Sequence, residues 1–137
     1  MKVFISTVPF AAENRKPLEI LETAGVEYVI NPTGRKLKES EISAYVSDVQ
    51  AIIAGTEPIT GEVLKEAKNL QLIARVGIGS DSVDLCAATR RGIAVSYTPD
   101  APSPAVAELT IGLMLSFLRH VHLSNEDMHR GGWNRYF

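Results

Sequence analysis

Backbone amides around two glycines are the first candidates for chemistry in this sequence. Gly77-Ile78-Gly79 follows the apolar run LIARV, which predicts a strand, and precedes a helical pattern. N–H groups in such a turn can converge on an anion, so a carboxylate or a phosphate would fit there. Glycine also serves turn geometry alone, and the spacing favours ligand binding and a conformational role about equally. Ser82 stands where a dinucleotide fingerprint requires Gly or Ala, so we do not expect a pyrophosphate loop.

Thr56 and Arg75 are candidates to assist this turn. Thr56 follows the apolar run AIIA and, if the strands are parallel, its hydroxyl could donate to the same ligand. An ordinary turn before the helix cap Thr60 is the equally favoured alternative. Arg75 stands near the end of its strand, where it could pair with an anionic substrate. A structural role, in which its aliphatic stem covers a helix surface, is slightly favoured.

Metal and thiol chemistry are disfavoured. His120 and His122 project to different sides of a helix, and with His129 and Glu126 they complete no ligand set, so we expect no metal site. Cys86 is the single cysteine, which excludes an internal disulfide and a thiolate cluster. We expect Cys86 to be a small buried hydrophobic residue within a helix.

Length, composition and charge predict an ordinary globular protein of the cytosol. The chain has 137 residues, 45% of them hydrophobic, which suits one domain with a true core. Its 14 basic and 16 acidic side chains give a net charge of -2, so we expect neither nucleic-acid binding nor attraction to an anionic membrane. No apolar secretory segment precedes the first strand, and the longest uncharged apolar run, Leu109 to Leu118, is about half of a membrane span.

Short runs rich in Val and Ile alternate with helical patterns along most of the chain. This alternation is typical of βαβ units around a parallel sheet that is covered on both faces. The predicted fold is an α/β, flavodoxin-like, doubly wound domain with a parallel five-stranded sheet. The predicted strands are Val3–Val8, Val26–Ile30, Ala51–Ala54, Leu72–Val76 and Ala94–Tyr97, and the predicted helices between them are Ala12–Ala24, Ser40–Ser47, Thr60–Ala67 and Ser82–Arg91.

A long apolar helix follows the fifth predicted strand. Ser103 is a good N-cap, with Pro104 at the first helical position. From Ala105 to Val121, apolar residues occupy nearly every direction around the helix, so it has to be buried on all sides, and one five-stranded sheet cannot cover it. We expect a second domain or another copy of the chain as the cover. After a final helical piece, Leu123–His129, Trp133 lies in a loop, where we expect a partner to bury it.

The order of these motifs resembles a known family. RVGIGSDSVDLCAATRRGIAVSYTPDAPSPAVAELTIGLMLSFLR followed by MHRGGWNR is similar to the NAD-dependent D-2-hydroxyacid dehydrogenases of the phosphoglycerate dehydrogenase-like group, and the similarity runs through most of the chain. The resemblance implies a flavodoxin-like substrate domain at residues 1–101. Residues 102–137 would form the helix that crosses to a missing Rossmann domain, with Phe137 just before that domain's first strand. The chain would then be the amino-terminal piece of a longer dehydrogenase.

The resemblance also implies roles for particular residues. The backbone amides of Gly77, Ile78 and Gly79 would hold the substrate carboxylate, and Val106 and Thr110 on the crossing helix would lie near the nicotinamide. NAD, or NADP, would be bound mainly by the missing domain. The family's carboxylate-binding Arg and its proton-exchanging His–Glu pair have no counterpart here. No catalytic residue is therefore assigned, and the isolated chain is expected to be inactive.

Two hypotheses about function follow. The first is hydride transfer between NAD(H) and a small D-2-hydroxy acid or 2-keto acid, in a homodimer formed through the crossing helix and the Trp133 region. Phosphoglycerate-specific members tend to place Arg after the third strand, where this chain has Ala54-Gly55-Thr56. That departure disfavours 3-phosphoglycerate, although Arg75 could partly substitute. The second hypothesis is a stand-alone flavodoxin-like binding or regulatory module that dimerises through the same helix.

Overall fold

Five parallel strands form the central sheet of the computed structural model, which describes residues 1–134. Their order across the sheet is β2-β1-β3-β4-β5, and each neighbouring pair is parallel. This is the flavodoxin-like strand order, and it confirms the predicted α/β fold class. The strands are β1 (Lys2–Ile5), β2 (Glu27–Ile30), β3 (Ala51–Ala54), β4 (Leu72–Arg75) and β5 (Ala94–Tyr97).

Four helices connect the strands, and their ends follow local sequence signals. Thr60 caps the third helix, where its hydroxyl oxygen accepts the Val63 amide at 3.4 Å. Gly25 and Gly92, with φ of +66° and +68°, follow the first and fourth helices in the left-handed conformation that ends many helices. The helices are α1 (Lys16–Thr23), α2 (Glu39–Val46), α3 (Gly61–Glu66) and α4 (Leu85–Arg90).

The first helix is shorter than its sequence pattern predicts. The pattern favours a helix from Ala12, whereas α1 starts at Lys16. Pro17 explains the difference, because proline is tolerated in the first helical turn, where no N–H is needed, but not further in. Ala11, with φ of +55°, also interrupts a helical path before that point.

The fourth helix begins at Leu85, three residues later than the predicted Ser82. The backbone before it is already engaged with the preceding loop. The Ile59 amide donates to the Ser82 carbonyl at 2.7 Å, and the Ile59 carbonyl accepts the Asp84 amide at 2.9 Å. Asp84 then serves as the side-chain cap of α4.

Two hydrophobic clusters hold the helices on the sheet. The larger cluster packs α2, α3 and α4 against residues such as Phe4, Ile52 and Ile73, whereas the smaller one joins α1 to Val3 and Ile5. Cys86 lies on α4 but is exposed, which contradicts the expectation of burial. The reason is rotational, because the buried face of α4 is formed by the two alanines that follow Cys86.

The chain divides into two compact units, one from Met1 to Pro99 and one that begins at Asp100. The second unit contains α5 (Ser103–Leu118) and α6 (Val121–His129). The apolar pattern predicts that α5 continues to Val121, but it ends earlier because His120 adopts a left-handed conformation with φ of +52°. The division into domains at residues 1–101 and 102–137 stays a prediction, and the expected place of Phe137 lies outside the described residues.

Helix α5 has no buried residue. Soluble monomers rarely expose a continuous apolar surface of this kind to water, so we expect α5 to be covered by a partner. In the part of the chain that the structure describes, no single helix is long and apolar enough to span a membrane, and α5 and α6 reach that length and composition only together, across a 65° bend. The exposed apolar side chains of α5 are Val106, Leu109, Ile111, Leu113, Met114, Leu115, Phe117 and Leu118.

Candidate functional site

Two loops at the carboxyl edge of the sheet lie side by side and carry the predicted site residues. One follows β3 and contains Thr56, and the other follows β4 and contains the turn Gly77-Ile78-Gly79. The Val76 amide donates to the Ala54 carbonyl at 2.7 Å, so strand pairing continues to the point where both strands end. A parallel bridge joins the far ends of the loops. Thr56 and the glycine turn therefore share the edge where open α/β sheets place their ligands.

The amides of the glycine turn are not equivalent. The Gly77 N–H donates to Thr98 Oγ1 at 2.8 Å, and the Thr98 N–H donates to the Gly77 carbonyl at 3.1 Å. Among residues 1–134, no acceptor pairs with the N–H of Ile78 or of Gly79. Two adjacent donors are thus open to a ligand, as in an anion-binding nest, whereas the third predicted donor is already engaged.

Charges of both signs flank the turn. Arg75 Nη1 donates to the Val76 carbonyl, and the guanidinium lies against Gly77, where an added Cβ would be 2.9 Å from Arg75 Cζ. Arg75 Nε is buried and has no hydrogen-bond partner in the described part of the chain. The Asp81 carboxylate lies beside Gly79, where an added Cβ would be 3.2 Å from Oδ2. The guanidinium favours an anionic ligand and the carboxylate opposes it.

The loop after β3 offers one free hydroxyl. Thr56 is exposed, and within residues 1–134 its side chain has no hydrogen-bond partner. Gly55 beside it is buried, and an added Cβ would lie 2.6 Å from Thr7 Oγ1. Position 55 therefore has no space for a larger side chain, and Thr56 is the residue of this pair that could reach a ligand.

Glu57 is a buried carboxylate in the same loop, and no motif in the sequence marks it. Its side chain is almost fully enclosed, with 2% of the residue exposed. Oε1 accepts the Ser6 hydroxyl and also the Gly55 amide, the latter at 2.7 Å. No ion pair to Glu57 forms among the described residues. Neutral donors from the loops after β1 and β3 therefore hold the carboxylate, and the carboxylate ties these two loops together.

Asn31 extends this polar cluster to β2. It is buried, and its Nδ2 donates to the Ser6 carbonyl at 3.0 Å and to the Arg35 carbonyl at 2.8 Å. The sequence signal that could have revealed the cluster is a polar residue placed directly after an apolar strand, which Ser6 and Asn31 both satisfy. Side-chain hydrogen bonds thus fix the carboxyl ends of β1, β2 and β3 to one another.

A comparison with known protein families identifies the family to which this chain belongs. A sequence model that describes the catalytic domain of D-isomer specific 2-hydroxyacid dehydrogenases matches residues 3–132. The chain belongs to the D-isomer specific 2-hydroxyacid dehydrogenase family. The match contains the glycine turn, Thr56 and α5, and it confirms the resemblance seen in the motifs.

Individual proteins are similar to this dehydrogenase-family chain in sequence and in fold. D-3-phosphoglycerate dehydrogenase from Methanocaldococcus jannaschii is 40% identical over 119 residues. The TT0316 protein from Thermus thermophilus has a TM-score of 0.87 at 33% identity. The NAD⁺-bound 3-phosphoglycerate dehydrogenase from Entamoeba histolytica has a TM-score of 0.75 at 33% identity.

The family chain spans less than half the length of these proteins. The three comparisons cover 86%, 100% and 85% of this chain, respectively, but only 22%, 43% and 38% of the other proteins. The similarity therefore describes one part of the architecture of a D-2-hydroxyacid dehydrogenase.

Val106 and Thr110 of this family member lie one helical turn apart on α5 and so share a face. Thr110 Oγ1 donates to the Val106 carbonyl at 2.7 Å, which leaves the hydroxyl oxygen able to accept a hydrogen bond. Both residues belong to the second unit, and their role near a nicotinamide stays a prediction. Across residues 1–134, no group of three His, Cys, Asp or Glu side chains is placed to hold a metal ion.

Proposed function

We propose that this chain forms the substrate-binding part of an NAD-dependent D-2-hydroxyacid dehydrogenase. The reaction transfers a hydride between NAD(H) and C2 of a small D-2-hydroxy acid or the corresponding 2-keto acid. The observation that carries the proposal is the pair of adjacent N–H groups of Ile78 and Gly79, which have no acceptor among the described residues. Family membership supports the reaction class, and this pair provides a place for the substrate.

The substrate carboxylate binds the two open amides, one oxygen to each N–H. Uncharged donors fix the plane of a carboxylate without a buried counter-ion, so C2 keeps a defined direction. The guanidinium of Arg75 adds a favourable charge beside Gly77, and the Thr56 hydroxyl offers a further donor from the neighbouring loop. Asp81 lowers the affinity for anions, which suits a site that has to release its product.

The residues of α5 fit one end of the cofactor. Val106 and Thr110 present an aliphatic group and a hydroxyl on one helix face, which suits a planar ring that carries an amide. When bound, NAD supplies the hydride acceptor or donor. Within residues 1–134, no GxGxxG turn leads from a strand into a helix. We therefore assign the binding of the cofactor pyrophosphate to a Rossmann domain of the full-length enzyme.

The isolated chain is inactive under this proposal. The family's carboxylate-binding Arg and its proton-exchanging His–Glu pair have no counterpart here, so nothing in the chain matches the groups that receive the hydroxyl proton. Association into a homodimer through α5 is part of the same proposal, because α5 has no buried residue and its apolar side chains need a cover.

A chimera tests the proposed function. Residues 1–134 of this chain replace the matching segment of the Entamoeba histolytica 3-phosphoglycerate dehydrogenase, which is 33% identical. We expect the chimera to consume NADH when pyruvate or hydroxypyruvate is added, while the isolated chain consumes none. A folded chimera that binds NADH but reduces no 2-keto acid would contradict the proposal.

A further inference from the structure

The glycine turn is held by a residue outside it. Thr98 directly follows β5, and it contacts both polar backbone atoms of Gly77. Its hydroxyl oxygen accepts the Gly77 N–H at 2.8 Å, and its own N–H donates to the Gly77 carbonyl at 3.1 Å. Thr98 thus pairs with both the N–H and the carbonyl of the first glycine of the turn.

These two hydrogen bonds lie just beyond the end of regular strand pairing. The paired register of β4 and β5 ends at Arg75 and Tyr97, and Pro99 has no N–H to continue it. Gly77 has φ of +135°, a conformation that other residues rarely adopt and that glycine itself leaves readily. The Thr98 hydroxyl oxygen accepts the Gly77 N–H just beyond the last paired residues of the two strands, at the position where the turn has the least conformational preference.

We propose that Thr98 is a positioning residue for the substrate carboxylate. By holding Gly77 in place, Thr98 fixes the direction of the Ile78 and Gly79 N–H groups before the substrate arrives. Thr98 acts through Gly77, whose own N–H is occupied and takes no part in binding. This role rests on the proposed function of the turn, and it adds a residue that the binding motif itself does not contain.

The effect of Thr98 on the turn can be measured separately from its effect on the stability of the fold. Thr98 is exposed, and an exposed hydrogen bond contributes little to the free energy of unfolding. Removal of the hydroxyl should therefore leave the fold intact and loosen the turn. A preorganised pair of donors binds more tightly than a mobile pair, because less conformational entropy is lost on binding.

The test compares Thr98→Val, which keeps the side-chain shape but loses the hydroxyl, with Thr98→Ser, which retains the hydroxyl. The isotope-labelled 137-residue chain is titrated with sodium pyruvate, and the dissociation constant is taken from the NMR shifts of Ile78 and Gly79. We expect T98V to weaken pyruvate binding by about fivefold or more and T98S to stay within about twofold of the wild type. Thr23→Val is the matched control, because the Thr23 hydroxyl bonds only within α1.

Amide hydrogen exchange provides a second readout that needs no ligand. We expect faster exchange at Gly77 in T98V and unchanged exchange in the sheet core, with an unchanged urea midpoint. If the wild type binds pyruvate and a folded T98V binds it equally well, the positioning role is wrong while the proposed function stands. If the wild-type chain shows no shift at Ile78 and Gly79 with pyruvate, the proposed function of the turn fails, and the role of Thr98 fails with it.

Discussion

Single residues in this site work mainly through neutral hydrogen bonds. The two open amides, the Thr98 hydroxyl and the donors around Glu57 carry no charge. The carboxyl group of Glu57 is enclosed, with no cation paired to it among the described residues. Its burial is tolerated because the Ser6 O–H and the Gly55 N–H donate to Oε1 in place of water.

Glu57→Ala should destabilise the first unit strongly. The substitution leaves the Ser6 hydroxyl and the Gly55 amide without their acceptor and opens a cavity, and together these effects cost about 2 to 4 kcal/mol of unfolding free energy. Urea unfolding followed by circular dichroism measures the loss. Glu62→Ala is the matched control, because Glu62 is an exposed residue of α3. A midpoint for E57A that equals that of E62A would contradict the role assigned to Glu57.

The ion pair of Arg35 and Glu41 makes stability depend on pH. Hydrogen bonds from the Arg35 guanidinium, and then from the Lys38 amide, lower the pKa of Glu41 to about 2, below its ordinary value of 4.5. A lowered pKa in the folded state stabilises the protein above the unfolded pKa, and this contribution is lost as the pH falls toward 2. Arg35→Gln should therefore lower the melting temperature slightly at neutral pH and by less at about pH 2.

The Glu41→Gln background is the control for that prediction. Without a titrating carboxyl at position 41, Arg35→Gln should have an effect that does not vary with pH. A difference between wild type and R35Q that stays constant or grows as the pH falls toward 2 would be inconsistent with the pair.

At the scale of elements, the turn after β4 needs a backbone conformation at position 77 that glycine adopts readily and other residues rarely adopt. Gly77→Ala should lower stability by about 1 to 3 kcal/mol, chiefly because φ of +135° is unfavourable for alanine; the flexible Arg75 side chain also has to move away from the new Cβ, at a smaller cost. In an Arg75→Ala background this smaller cost disappears while the backbone cost stays, so part of the loss is recovered. Urea unfolding of the four proteins of this cycle measures both effects. No recovery in the double variant would show that Arg75 does not lie over Gly77.

The elements themselves were largely predictable, because apolar periodicity and local stop signals decide them. The strand count, the Thr60 cap and the glycine helix ends follow from residues close in sequence. The late start of α4 does not, since it depends on hydrogen bonds to Ile59, which lies more than twenty residues earlier. The exposure of Cys86 depends in the same way on which face α4 turns to the sheet.

We expect the chain to self-associate through α5. Its apolar side chains are exposed all round, and surfaces of this size promote self-association in water. Light scattering should show a species larger than a monomer, and the double substitution Leu109→Glu with Leu113→Glu should shift the chain toward monomer. Ile20→Glu on α1 is the control, because Ile20 is an equally exposed apolar residue outside α5. A monomeric wild-type chain at high concentration would contradict this prediction.

At the scale of the whole molecule, the site is only partly readable from sequence. The glycine turn and Thr56 were found because each follows an apolar strand, and parallel pairing brings them together. Thr98 and Glu57 were not predicted from the sequence, because their roles depend on contacts between loops that are distant in the chain. The family resemblance implied that the amides of Gly77, Ile78 and Gly79 hold the carboxylate, whereas the Gly77 N–H already donates to Thr98 Oγ1.

Binding of the substrate carboxylate to the glycine turn is tested by titrating the isotope-labelled chain with sodium pyruvate at constant ionic strength. We expect saturable NMR shifts centred on the Ile78 and Gly79 amides, and no such shifts with methyl pyruvate, which lacks the carboxylate. We expect weak affinity, because under the proposed function the carboxylate-binding Arg of the family has no counterpart in this chain. Equal shifts with both compounds, or pyruvate shifts that avoid these two amides, would contradict the claim that this turn binds the substrate carboxylate.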